Sequence, residues 1–370
     1  MEEFLDAREL VRQGRSMEHG DTRIMLMEEA VRVADRSGII QDQLFAREEL
    51  IESATFGAAP EKALVAFSWC LAKYGEIGNS YTRWTVLWKY KWIMNSIHCF
   101  PQISREKIEE MHLDMENHYL RSGYSLRPVY ESRMHEAISR GDRKETKKQY
   151  NAWQAAPRDS IANCLACETN GQATYYFYLE RYEQGLHKAA PLLGGTLKCS
   201  TIPQRTFALV LMPLFRLGRA EEAMQYHRKG YRLIIHNRDY LNSIVEHMDF
   251  LVVTDNLERA LSLFEDYLSW ALSVSDQSAR FNFYRSALLM LDLLGERGKK
   301  SFSLRLPQEF PLWRESREYE VSELARWFEE AAHSLAKRFN ERNGNDHFTR
   351  LIGETMQLKE IISPHPINEC

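Results

Sequence analysis

Two stretches near the middle of the chain repeat one arrangement of apolar and polar positions. The run from Phe207 to Phe215 is apolar almost throughout and is closed by Leu217-Gly218-Arg219, after which Ala220-Glu221-Glu222-Ala223-Met224 opens a second amphipathic segment. Ile244 to Val253, then Thr254-Asp255-Asn256, then Leu257-Glu258-Arg259-Ala260-Leu261 repeats the order. Both are read as helix, tight turn, helix, with a small residue three or four places into the second helix where another helix must come close. Aligning the small positions Ala63, Thr146, Gly185, Ala223 and Ala260 gives intervals of 83, 39, 38 and 37 residues, the first being two units of about 41.

The same reading extends in both directions. Glu2 to Arg36 predicts two helices, with Ile24, Leu26, Ala30, Val31 and Val33 as their apolar stripe and Ser37-Gly38 as the stop. Gln43 to Phe56 and the segment from Glu61 form a hairpin about Gly57-Ala58-Ala59-Pro60, and Pro60 suits a first helical turn that needs no N–H. Tyr81 to His98 carries Trp84, Trp88 and Trp92 on one face, either packed between repeats or forming an aromatic wall for a ligand. Further helices are expected over 104–120, 127–139, 143–153, 163–179, 182–192 and 279–294. Ser301 to Pro307 alternates with period two, as a strand does. Val321 to Glu341 is an amphipathic helix stopped by Asn343-Gly344-Asn345, and the Pro-containing tail from Ser363 is expected to be mobile.

On these small-residue hairpins the chain resembles the tetratricopeptide-repeat family. The resemblance implies an all-α, right-handed superhelical solenoid of about six hairpins, with residues 1–38 as N-terminal cap, 39–298 as repeats and 299–370 as C-terminal capping segment and tail. It also implies a scaffold that binds a protein or peptide partner in a repeat-lined groove, and not an enzyme. Carried onto this chain, the groove positions are Glu131, His135, Asn170, Thr174, Arg205, Asn242 and Asp249. An alternative resemblance is to the bacterial peptide-pheromone receptors, solenoids that close on a short peptide and capture or release a partner.

Composition narrows the partners. Hydrophobic residues make up 44% of the chain and charged ones 27%, which fits a continuous buried core under a charged surface. A formal charge of −4 provides no electrostatic excess for a phosphate backbone, so nucleic acid is not expected. The run from Phe207 to Phe215 is about half the length of a membrane span, and Met1 to Asp6 lacks the apolar core of a secretory signal; a cytoplasmic location is expected, with no membrane partner. The basic run Arg140, Arg143, Lys144, Lys147 and Lys148 is interleaved with Asp142 and Glu145 and reads as a solvated helix face.

Six cysteines are too few for a disulfide framework in a chain of 370 residues. Cys164 and Cys167, three apart at a helix start, put two sulfurs on one side, and Cys199 falls at the corresponding point of the next hairpin. This set reads as a structural zinc site, as packed free thiols, or as a redox dithiol that would make the chain a redox or zinc-dependent enzyme. The fourth ligand would come from His227, His236, His187, Asp159 or water. His227 stands where sister units have Phe67 and Phe264, so it puts an imidazole at an aromatic core position.

Overall fold

The computed structural model describes residues 6–76 and 80–367, so the expected helical content of Glu2 to Leu5, and Cys370, lie outside it. The described chain is almost entirely helical. In order it forms α1 (Ala7–Arg15), α2 (Asp21–Ser37), α3 (Ile40–Phe56), α4 (Pro60–Ala72), α5 (Ser80–Ile97), α6 (Arg105–Arg121), α7 (Arg127–Ser139), α8 (Arg143–Ala155), α9 (Leu165–Tyr178) and α10 (Tyr182–Leu193). There follow α11 (Gln204–Leu209), α12 (Leu211–Arg216), α13 (Ala220–Tyr231), α14 (Leu241–Val253), α15 (Leu257–Ser273) and α16 (Gln277–Glu296). Two short strands, β1 (Ser301–Ser303) and β2 (Glu318–Glu320), precede α17 (Val321–Asn343) and α18 (His347–Met356).

One turn recurs between helices. Ala58, Gly141, Glu180, Gly218 and Asp255 all adopt positive φ, between 60° and 77°. In each case the N–H of the following residue donates to the carbonyl five residues behind it: Ala59 to Ala54, Asp142 to Ala137, Arg181 to Tyr176, Arg219 to Leu214 and Asn256 to Leu251, at 2.8–2.9 Å. This left-handed cap satisfies carbonyls that the ending helix leaves open and reverses the chain at once into the next helix. Each of these residues stands five places before one of the small residues that set the repeat, and Ala63, Thr146, Ala223 and Ala260 are fully buried. At Gly185 the fit is closest, since a Cβ there would lie 2.2 Å from Phe177 Cε1. The repeat in the sequence is therefore a repeat of one turn and one close helix contact.

The chain divides into two compact units, the first comprising Met1–Glu136, Lys147–Ala162 and Asn237–Asp239, and the second the remainder. In the first, α1 to α6 pack in succession, α1 on α2, α2 on α3, α3 on α4, α4 on α5 and α5 on α6. Their core includes Met27, Ala54, Phe67, Leu87, Met94 and Tyr119. Trp84, Trp88 and Trp92 are half-buried and pack against this core, with the Trp84 and Trp88 rings 5.0 Å apart and Trp92 against Phe56 at 5.2 Å. Lys91 is buried beside them; its Nζ donates to the Ile161 carbonyl at 2.8 Å and lies 3.1 Å from the centre of the Trp88 ring.

In the second unit the hairpins are α9 with α10, α11 and α12 with α13, and α14 with α15. The expected single helix from Phe207 to Phe215 is two, α11 and α12, parted at Val210. Pro213 supplies the reason: it has no N–H for the Leu209 carbonyl, so the ladder is interrupted there. The left-handed turn returns at Gly298, with Lys299 donating to the Leu294 carbonyl at 3.0 Å, but the chain then leaves as a strand. The expected strand over 301–307 is confined to β1, which pairs antiparallel with β2, and α17 returns along α16. The tail is not loose over 363–367. Ser363 and His365 donate backbone N–H groups to the carbonyls of Val253 and Thr254, and the Asn256 side chain bonds His365 and Ile367, so the turn after α14 ties it down.

Candidate functional site

Three thiols meet at the start of α9. Cys164 is the N-cap, with extended backbone, and its Sγ accepts the N–H of Cys167 at 3.4 Å. Cys167 follows in the first turn, and its Sγ lies 3.5 Å from that of Cys199. Cys199 is carried by the loop after α10, held by the Leu197 N–H on the Pro191 carbonyl and the Cys199 N–H on the Ile202 carbonyl, both at 3.0 Å. Beneath lies a small core of Ala166, Leu192 and Ile202, against which Cys167, Leu197 and Cys199 pack. All three sulfurs lie within 4.8 Å of one another; Cys164 is exposed and the other two are half-buried.

The cluster polarises its members. The hydrogen bond between the Cys167 and Cys199 sulfurs holds Cys199 below the usual thiol range, with Thr201 and the Ile202 backbone helping against burial. The same bond, followed by burial, pushes Cys167 upward. The other described cysteines are of a different kind: Cys70 and Cys99 are buried apart from this group, and burial raises Cys70 to about 12.

His227 is not among the groups that meet here. From α13 its Nδ1 faces Nδ1 of His247 in α14 at 2.9 Å, inside a shell formed by Tyr231 and Phe250. Burial holds the His227 imidazole at about 4 and, with the neighbouring ring, holds His247 well below its usual range, so the pair is neutral and one ring donates to the other. Among the described residues, the buried His247 Nε2 has no hydrogen-bond partner. Of the remaining ligand candidates, Asp159 is taken by the backbone N–H groups of Ser125 and Ile161, at 2.6 and 3.1 Å, while His187 and His236 are both exposed.

The seven expected groove positions fall into both units. In the first, Glu131 is buried and His135 half-buried, its imidazole held at about 4 by desolvation. In the second, the positions join first helices of successive hairpins. Thr206 donates to Asn170 Oδ1 at 2.8 Å across 36 residues, Asn282 donates to Asn242 at 2.9 Å across 40, and Ser286 donates to the buried Asp249 across 37. Thr174 turns back to the Asn170 carbonyl. Arg205 and Asn242 are exposed, the Arg205 guanidinium lying 5.7 Å from the centre of the Tyr240 ring.

Sequence reasoning missed Glu246, Arg285 and Ser286 on this polar face. Glu246 is raised to about 8 by burial and then by Asp249, against the pull of Arg205 and Arg285. Arg285 lies 3.9 Å from Asp249 and also donates to Thr355 of α18. The signal for Glu246 was available, because it precedes Asp249 by three residues on the same helix. Arg285 and Ser286 lie one repeat beyond Asp249, where no separate motif marks them.

Compared with known proteins, the chain matches no family model and no curated protein.

Proposed function

We propose that the chain is an intracellular interaction scaffold of tetratricopeptide type, its hairpins stacked with right-handed winding, which holds an extended peptide segment of a partner protein. The observation that carries this reading is the polar face of the second unit. Asn170, Asn242 and Asp249, from α9, α14 and α14, bond to α11 and α16 at separations of 36 to 40 residues, which is the repeat length. A face built at that period offers polar groups at regular steps, and a peptide main chain offers amides at regular steps. Buried Asp249 and the engaged oxygens of Asn170 and Asn242 hold the helices in place, and exposed Arg205, the Nδ2 of exposed Asn242 and half-buried Glu246, one turn beyond Asn242 on α14, meet the ligand. Burial biases the Glu246 carboxyl toward its protonated form, which can donate to a peptide carbonyl.

The test is selection from a displayed library of random linear peptides on the purified chain. Enriched peptides should bind in a fluorescence-anisotropy titration, and Arg205→Ala and Asn242→Ala should each weaken that binding by about tenfold. Arg228→Ala, on α13, should leave it unchanged. No enrichment, or enriched peptides that ignore Arg205 and Asn242, would remove this face from the account.

A further inference from the structure

We infer that Cys164, Cys167 and Cys199 form a zinc site with three thiolate ligands and a fourth position open to solvent. A cysteine that serves as a small hydrophobe is buried, as Cys70 and Cys99 are, whereas Cys164 is exposed and still shares its sulfur neighbourhood with two others. Nor is Cys164 chosen as a strong helix cap, since Ser, Asp and Asn accept the N3 amide better than sulfur does.

The geometry suits one ion. Zinc–sulfur bonds of about 2.3 Å in a tetrahedron separate the sulfurs by about 3.8 Å. Cys167 and Cys199 stand at 3.5 Å and all three sulfurs lie within 4.8 Å, so side-chain rotation of an ångström or less closes the site. The two sides are independently braced, Cys164 and Cys167 by the first turn of α9 and Cys199 by the backbone bonds of its loop. Amides at the helix start favour the negative charge of the thiolates.

Among the described residues, no histidine or carboxylate joins the three sulfurs. The complex of three thiolates with a divalent ion carries one negative charge, and binding displaces the thiol protons to solvent. Its fourth ligand is water or a donor atom from outside the chain, admitted on the exposed side at Cys164. This inference does not rest on the peptide-binding reading: the ion joins the α9–α10 hairpin to the loop that leads to α11 whether or not a peptide binds.

The experiment uses the full chain, purified under reducing conditions, with metal content measured directly and by cobalt(II) substitution. One zinc per chain is expected, together with a cobalt–thiolate charge-transfer band and four-coordinate ligand-field bands. Added imidazole should shift the ligand-field bands by replacing water. Cys164→Ser is the informative variant, because serine keeps the helix cap while removing a sulfur; its fold, read by circular dichroism, should be kept and its zinc lost. Cys70→Ser should bind zinc as the parent does. A reduced parent chain that takes up neither zinc nor cobalt overturns the site, as does full zinc retention in Cys164→Ser. Ligand-field bands indifferent to imidazole overturn the open position.

Discussion

The thiols at the start of α9 and the imidazoles between α13 and α14 are both ligand-type side chains brought together from successive elements, and they end in opposite chemistry. The sulfurs gather where a helix begins, beside a loop, with one member in water. The imidazoles face each other in mid-helix, enclosed by Tyr231 and Phe250, with one nitrogen that has no partner among the described residues. Helix stacking creates adjacency in both places. Position along the helix decides whether the group stays open to solvent or is desolvated into a neutral core pair.

Acid gives the largest expected effect on one side of this comparison only. His227 titrates near 6.5 when unfolded and at about 4 when folded, so the unfolded chain binds the proton more readily. The stability that goes with its neutral form is present above pH 6.5 and is lost as pH falls toward 4. The shift corresponds to about 3 kcal/mol. Denaturant midpoints should therefore fall over that window, and less steeply in the double variant His227→Phe with His247→Leu. His227→Phe alone should cost about 1–3 kcal/mol at neutral pH by leaving His247 without its partner, a loss that the double variant largely recovers.

Gly185→Ala should be next. Its new Cβ has to displace the Phe177 ring, costing about 1–3 kcal/mol in thermal unfolding. Because Gly185 lies in the hairpin that carries the thiols, the variant also asks whether zinc affinity depends on that packing.

Glu246 has the opposite pH sign to the histidines. Its folded value of about 8 lies above its unfolded one, so its contribution is present below pH 4.5 and is lost as pH rises to 8. Glu246→Gln should flatten that decline by on the order of 1 kcal/mol. Smallest is Glu180→Gly, which relieves a left-handed side-chain conformation at one recurring turn and should stabilise by about 0.5–1 kcal/mol.

Much of the fold was legible because one physical unit repeats. The small residues at 146, 185, 223 and 260 locate the left-handed turns five residues earlier, even where Glu180 and Asp255 replace the expected glycine. The break at Val210 was legible in principle from Pro213. The anchoring of residues 363–367 was not, since it depends on backbone groups of a distant turn and leaves no pattern in the side chains. At the candidate site, Cys199 could be placed from the stacking of helix starts, and His227 could be read as an aromatic replacement. Its partner His247 was invisible, because two mid-helix histidines 20 residues apart have no spacing rule until the helices are packed.

On this reading, stacking makes a ligand set of the three cysteines and a core pair of the two histidines. Cobalt(II) titration of three reduced chains tests it: the parent, the His227→Phe/His247→Leu variant and Cys199→Ser. The thiolate–cobalt band should saturate at one equivalent in the parent and the histidine variant alike and be missing in Cys199→Ser. A band that disappears with the histidines, or persists without Cys199, would contradict the claim.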